Sequence, residues 1–157
     1  MQAEPDRSAS TPASVHRGIE IRELAAVDDD TVYLDTLFQG YGLNAEPVSL
    51  QRTMMAIEHR SPRLRRYLAY VDGHPAAAAA LFTTAEGTYF AGAATVPAMR
   101  DRGCQSALIR RRLHDAAATG HAVVVTTAFG SPSQANLQRL GFRIVHTRRL
   151  WRLPAHP

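Results

Sequence analysis

The chain has 157 residues, 45% of them hydrophobic and 20% charged, the profile of one soluble domain around one core. No stretch approaches the roughly 18 uninterrupted apolar residues of a membrane span, and the single cysteine, Cys104, excludes both an internal disulfide and a CxxC pair. Net charge is +4, and all 18 basic residues are arginine, whose planar fork suits phosphates and carboxylates.

Met1 to Arg17 mixes acids, Pro, Ser and Ala, with too few large apolar residues to offset the entropy of ordering. It also lacks the apolar stretch of a secretion signal. The expectation is a disordered tail over 1–17, a single domain over 18–157 and, with the lone thiol, a cytoplasmic protein.

Ile19 to Leu24 alternates apolar and polar residues and predicts a first strand. One of Asp28, Asp29 and Asp30 caps a helix carrying Val32, Leu34, Leu37 and Phe38, broken by Gly40-Tyr41-Gly42. Ser49 caps a second helix with Met54, Met55 and Ile57, which stops before Ser61-Pro62. Arg66 to Val71 predicts a strand, Asp72-Gly73 a hairpin turn, and Ala76 to Thr84 the returning strand. Glu86-Gly87 is a second turn, and Thr88 to Val96 a fourth strand.

From Gly103 to Thr119 the period changes. Ile109, Leu113, Ala116 and Ala117 share one helical stripe, with Arg110, Arg111, His114 and Asp115 opposite. Gly120 stops that helix. Ala122 to Thr127 is β-branched and nearly continuous, the pattern of a strand covered on both faces. Ser133 caps a short helix from Gln134 to Leu140, Gly141 ends it, and Phe142 to Leu153 supplies a final strand. The order β-α-α-β-β-β-α-β-α-β is a mixed α/β (α+β) plan with no repeat.

Chemistry concentrates in Thr95 to Leu108, T-V-P-A-M-R-D-R-G-C-Q-S-A-L. A strand ends, Pro97 starts a turn, and a helix begins near Gly103. Amides at a helix start lack internal partners and, with the helix dipole, form an anion site. Arg100, Arg102 and the Ser106 hydroxyl stand at the same end. These residues alone support an anion-binding strand–turn–helix, with a solvated surface turn as the other reading.

The same run resembles the acetyl-CoA signature of the GNAT (GCN5-related N-acetyltransferase) superfamily, R/Q-x-x-G-x-G/A, with Arg100, Gly103 and Gln105 on its three defined positions. N-L-Q-R-L-G-F (Asn136 to Phe142), followed by a strand, resembles the family's closing helix and strand, so the resemblance spans roughly Ile19 to Leu153. It implies a central, mixed but mostly antiparallel sheet of about six or seven strands, flanked by about four helices and splayed between strands 4 and 5. It implies acetyl-CoA as cosubstrate, bound by the backbone of Ala94, Thr95 and Val96, by Arg100, and by the amides of Arg102, Gly103, Cys104, Gln105 and Ser106, with Asp101 in the same turn. Asn136 would flank the pantetheine or thioester. The implied reaction is transfer of an acetyl group to the primary amine of a small molecule, peptide or protein entering beside residues 33–49. A homodimer through the C-terminal strand fits the family.

The chain departs from the family at three places. Gln105 stands where Gly or Ala is usual. Leu137 occupies the position of the Tyr that protonates the leaving thiolate, and it cannot donate a proton. Thr88 to Val96 holds no carboxylate to serve as base; the nearest is Glu86, in the preceding turn. The catalytic residues are therefore open, with Asn136 and Glu86 as candidates, while Tyr33, Tyr41, Tyr67, Tyr70 and Tyr89 read as core aromatics. Cys104, at a helix start that lowers thiol pKa, is a lesser candidate because the family's transfer is direct.

The seven histidines show no paired metal spacing and read as scattered surface residues, so no metal site is expected. Arg63, Arg65 and Arg66 read as a solvated basic patch. Two rival functions follow. One is a catalytically weak or inactive acyl-CoA-binding regulatory module, favoured by the missing Tyr and Glu. The other is nucleic-acid binding, disfavoured by the lack of any interleaved aromatic and basic motif.

Overall fold

The computed structural model describes residues 2–3, 18–25, 28–43, 48–149 and 151. Its strands are β1 (Gln2–Ala3), β2 (Ile19–Leu24), β3 (Leu64–Val71), β4 (His74–Thr83), β5 (Thr88–Thr95) and β6 (Val123–Val125). The helices are α1 (Thr31–Tyr41), α2 (Val48–His59), α3 (Cys104–Ala117) and α4 (Pro132–Arg139), with a single 3-10 turn at Pro97–Met99. The sheet order is β1-β6-β5-β4-β3-β2. Every neighbouring pair is antiparallel except β5–β6, which α3 connects as a parallel crossover. Five strands of three or more residues plus the two-residue β1 make the mixed, mostly antiparallel sheet that the sequence predicts.

Helices cover both faces. On one face Tyr67, Ala79, Leu81, Phe90 and Phe142 cluster with Leu108 and Ile109 of α3 and Leu137 of α4; on the other Leu68 and Ala78 cluster with Tyr33, Leu34 and Leu37 of α1. Ala76 to Ala80 of β4 all have zero exposure. Alanine is a poor strand former, but a strand sandwiched between two helices is chosen by fit more than by propensity. Its methyls let both helices approach the sheet backbone.

Several local expectations change. Asp30 stands at the start of α1 without a side-chain cap, while Asp29 Oδ1 accepts from Thr31 N (2.9 Å) and Thr31 Oγ1 (2.6 Å). Helix α2 starts at Val48, one residue before the predicted cap Ser49, whose side chain lies outside the described residues. Ser131 caps α4 in place of Ser133, its Oγ accepting from Gln134 N at 3.2 Å, with Pro132 next in the helix. Strand β6 is covered on one face only, since Val124 is 41% exposed.

The final strand predicted over Phe142–Leu153 does not form over residues 142–149; residues 150, 152 and 153 lie outside the described residues. Residues 142–149 are irregular apart from one bridge at Arg143, and only Phe142 is buried, packed on Phe90. Ile144 and Val145 in that stretch are exposed. Gln2–Ala3 pairs with Val123 and Val124 inside the stretch predicted as a disordered tail; the rest of that tail lies outside the described residues. No helix is long and apolar enough to cross a membrane among the described residues.

Candidate active site

The cleft begins where two strands part. β5 and β6 pair only through Thr88↔Val123, Tyr89↔Val124 and Phe90↔Val125, so Ala91 to Thr95 lose β6 as a neighbour. On the other side of β5, Ala79 pairs with Ala93 and Ala80 with Ala91, which makes Gly92 the extra residue of a bulge. The splay predicted between the fourth and fifth strands is this separation of β5 from β6, one number higher because of Gln2–Ala3. A cavity of about 700 Å³ opens there.

One wall is the turn from β5 into α3. Val96 N donates to Ala76 O at 2.9 Å, and the 3-10 turn closes with Met99 N donating to Val96 O at 2.8 Å. Asp101 and Gly103 both have left-handed backbone, φ 62° and 86°. Gly103 precedes the helix, and a Cβ there meets nothing nearer than Ile19 Cδ1 at 3.8 Å. The positive φ, and not crowding, is what calls for glycine. Ala107 N is taken up by Gly103 O (3.0 Å), and no side chain caps the helix, so the amides of Cys104, Gln105 and Ser106 precede the first internal bond. All three residues line the cavity, as do Ala94, Thr95, Arg100, Asp101, Gly103 and Asn136.

Of the predicted cofactor residues, Val96 and Arg102 are not in that lining. Arg102 is half exposed and pairs loosely with Asp72 (3.8 Å). Arg100 reaches across to donate to Gly40 O of α1 at 3.3 Å.

Gln105, the departure from the family pattern, is held against the opposite wall. Its Nε2 donates to Ser133 Oγ at 2.9 Å, and its Oε1 accepts from Asn136 Nδ2. Arg139 donates to Asn136 Oδ1. Gln105 and Asn136 thus bridge α3 and α4 beside the helix start. Leu137 is buried in the core. Glu86 is exposed in the β4–β5 turn, at the end of β5 away from the cleft. Cys104 is 2% exposed, and burial pushes its thiol pKa up, contrary to an activated nucleophile.

Three residues escaped the sequence reading. Arg112 falls on the buried stripe of α3 and lines the cavity. Tyr41 is on the α1 side, its hydroxyl accepting from Ala93 N at 2.9 Å on the bulged strand. His59 is 6% exposed, not the surface residue expected; it stacks near Tyr33 (5.2 Å between centroids), and burial lowers its pKa, which favours a neutral ring. A Cβ on Gly92 would lie 3.6 Å from His59 Cε1 and 3.7 Å from Tyr41 Oη.

The basic patch is also not simply solvated. Arg66 is 3% exposed and donates to Ala25 O, and Arg65 joins Glu23, Arg111 and Asp115 in a network of ion pairs. No group of three or more potential metal ligands occurs among the described residues.

Backbone amides at a helix start, a nearby arginine and a free strand edge together suit a ligand with a phosphate end and an amide-bearing arm. Solved structures share the fold. A crystal structure of a Trypanosoma brucei acetyltransferase superimposes with a TM-score of 0.63 at 20% identity, over 87% of this chain and 99% of that one. The aminoglycoside 6'-N-acetyltransferase AAC(6')-Ih of Acinetobacter baumannii gives 0.63 at 18% identity, over 88% and 100%. A predicted acetyltransferase from Clostridium acetobutylicum, solved with acetyl-CoA, gives 0.64 at 14%, over 87% and 96%. No curated protein sequence matches the chain. The family model described as the acetyltransferase (GNAT) domain matches residues 20–128, more than half of the chain, and the protein belongs to the GNAT acetyltransferase family.

Proposed function

We propose that the protein is a cytoplasmic acyl-CoA-dependent N-acyltransferase that moves an acetyl group from acetyl-CoA to the primary amine of an acceptor. The single observation carrying this reading is the cavity between β5 and β6, with the α3 amides at one end and the unpaired edge of β5 along its side. Arg100 and the amides of Gly103 to Ser106 would hold the phosphates, where anion and helix dipole attract. Ala94 and Thr95 would pair with the pantetheine arm as an added strand does. Asn136, fixed by Gln105 and Arg139, would orient the arm from the α4 side.

The amine would approach from the α1 side, past Tyr41. Bound acetyl-CoA supplies an activated acyl group; the chain's part is to align the amine against it and to polarise the carbonyl. Alignment alone is worth up to about 7–11 kcal/mol. A small-molecule amine acceptor is supported by the aminoglycoside N-acetyltransferases among the structural neighbours.

A thermal-shift titration with acetyl-CoA, CoA and ATP tests the reading. Ligand at about a hundred times its Kd stabilises by about 2.7 kcal/mol, and about 2–4 °C of Tm follows each kcal/mol in a chain of this size. A shift with acetyl-CoA and CoA but not ATP is expected; none at millimolar acetyl-CoA rejects it. The buried Leu137 and the carboxylate-free β5 favour a second reading, an acyl-CoA-binding module without turnover. Release of free thiol from acetyl-CoA across a panel of amines separates the two.

A further inference from the structure

The buried stripe of α3 carries a cation. Cys104, Leu108, Arg112 and Ala116 recur every four residues, and all are buried. A charge in such a stripe is costly unless something offsets it. Arg112 is 2% exposed; its Nε donates to Leu108 O (3.2 Å), its Nη1 to Ala80 O (3.1 Å), and its guanidinium lies 4.0 Å above the Phe90 ring. Both acceptors are neutral carbonyls. Among the described residues the ion pairs fall to other arginines, such as Arg65, Arg102 and Arg111, and none to Arg112. Burial lowers its pKa to about 10, which leaves it cationic at neutral pH.

Its place in the fold gives the charge a direction. Phe90 is the last β5 residue paired with β6, so the guanidinium stands at the apex of the splay, and Arg112 lines the same cavity as Ala93, Ala94 and Asn136. Arg112 lies nine positions beyond Gly103, roughly 13 Å along the helix. On the proposed function, a ligand with its phosphates at Gly103 to Ser106 and its arm along Thr95 and Ala94 points its far end at that apex.

We propose that Arg112 is the electrostatic partner of the CoA sulfur, holding the negative charge left on it when the acyl group departs. In the transfer a C–N bond forms and the C–S bond breaks. Sulfur keeps the bonding pair, and the surplus proton of the amine passes to solvent. Leu137, on the position where the family resemblance implies a donor, cannot supply a proton. A fixed guanidinium makes that proton unnecessary by stabilising the charge itself.

The test uses the full chain with CoA and with desulfo-CoA, which lacks the thiol. Thiolate absorbance is followed against pH, and the difference between the two complexes cancels Cys104 and the tyrosines. Tyr33, Tyr41 and Tyr67 face Arg112 electrostatically, and Arg100, Asp101 and Arg139 share the cavity; comparison with the variant isolates Arg112 from all of them. The bound thiol is expected to ionise about one pH unit or more below free CoA. Arg112→Met should bring it back to the free value, while Arg112→Lys keeps much of the shift.

At a pH where both the bound and the free thiol are ionised, the wild type should prefer CoA to desulfo-CoA by about tenfold, the same effect expressed as affinity. Arg112→Met should show no preference. A wild-type thiol that titrates at or above the free value overturns the proposal without any variant, so a misfolded Arg112→Met does not shelter it. Tight desulfo-CoA binding with an unshifted thiol rejects Arg112 alone. Failure to bind either ligand rejects the cofactor cleft, and Arg112's role with it.

Discussion

Gln105 of α3 and Asn136 of α4 are hydrogen-bonded to each other beside the cleft, Asn136 Nδ2 donating to Gln105 Oε1. Each has a second tie, Gln105 to Ser133 and Asn136 to Arg139. The long side chain that departs from the family pattern is drawn away from the helix start and becomes a strut between two helices. Asn136→Ala removes one of the strut's two ties to α4, leaving Gln105 on Ser133, and a lost hydrogen bond of about 0.5–1.5 kcal/mol predicts acetyl-CoA binding weakened roughly two- to tenfold. Isothermal titration calorimetry measures it; an unchanged Kd removes Asn136 from the site.

Gly103 sits at φ 86°, outside the range that β-branched residues tolerate. Gly103→Val is expected to lose about 1–3 kcal/mol of stability through backbone strain. It should also abolish acetyl-CoA binding, because the strain is relieved by turning the α3 amides away. Urea denaturation and a binding titration read the two effects separately. Full affinity in this variant would refute the amide site.

Gly40 marks the closest approach of α1 to the bulged strand. A Cβ there would lie 2.5 Å from Ala94 Cβ and 3.0 Å from the backbone at Ala94 and Thr95. Gly40→Ala is expected to cost about 1–3 kcal/mol as an overpacked contact. Adding Ala94→Gly should recover part of the loss, since one of the clashing atoms goes. A double-mutant cycle in urea shows whether the two positions couple.

His59 links stability to pH. Its native pKa is depressed by burial, so below about pH 6.5, its ordinary value, the unfolded chain takes up the proton more readily than the native one. Stability from this group is intact above that pH and declines as pH falls toward the native value. His59→Gln should remove that acid-side decline whatever it does to stability at pH 8. Denaturation midpoints between pH 5 and 8 provide the comparison, and parallel curves for both proteins contradict the linkage.

Cys104 is buried with its thiol pKa raised, so the native protein should react with a disulfide-exchange reagent far more slowly than the urea-unfolded chain. Equal rates would mean that the first turn of α3 opens readily.

The sequence carries the elements whose signals are local. Asp72-Gly73 turns β3 into β4, Pro97 and Gly103 mark the turn from β5 into α3, and Ser61-Pro62 follows the end of α2. The cavity lining repeats most of the residues that the motif implies, because a strand–turn–helix places its own side chains. What stayed hidden depends on distant partners. Arg112 and Arg66 look like surface charge in a sequence with 18 arginines, and only the packing of α3 and β3 against their neighbours buries them. His59 is concealed by the docking of α2 beside Tyr33. Residues 142–149 read as a strand following Gly141, yet a strand needs a neighbour to pair with, and in that stretch only Arg143 makes a bridge.

The five consecutive alanines of β4 carry almost no register information. Toward β5, Ala78, Ala79 and Ala80 pair with Ala94, Ala93 and Ala91, and sliding the strand by two residues would keep every methyl on its own face. Toward β3, Ala77 to Ala80 pair with Ala69, Leu68, Tyr67 and Arg66. Against β5 the alignment must therefore be set at the ends, where Leu81 meets Phe90 and Phe82 meets Tyr89, while the Asp72-Gly73 turn fixes the start against β3. A slip would also carry the bulge at Gly92 away from the point where β5 leaves β6. Leu81 and Phe90 thus do more than fill the core: they index the strand, and the shape of the cleft depends on that count being right.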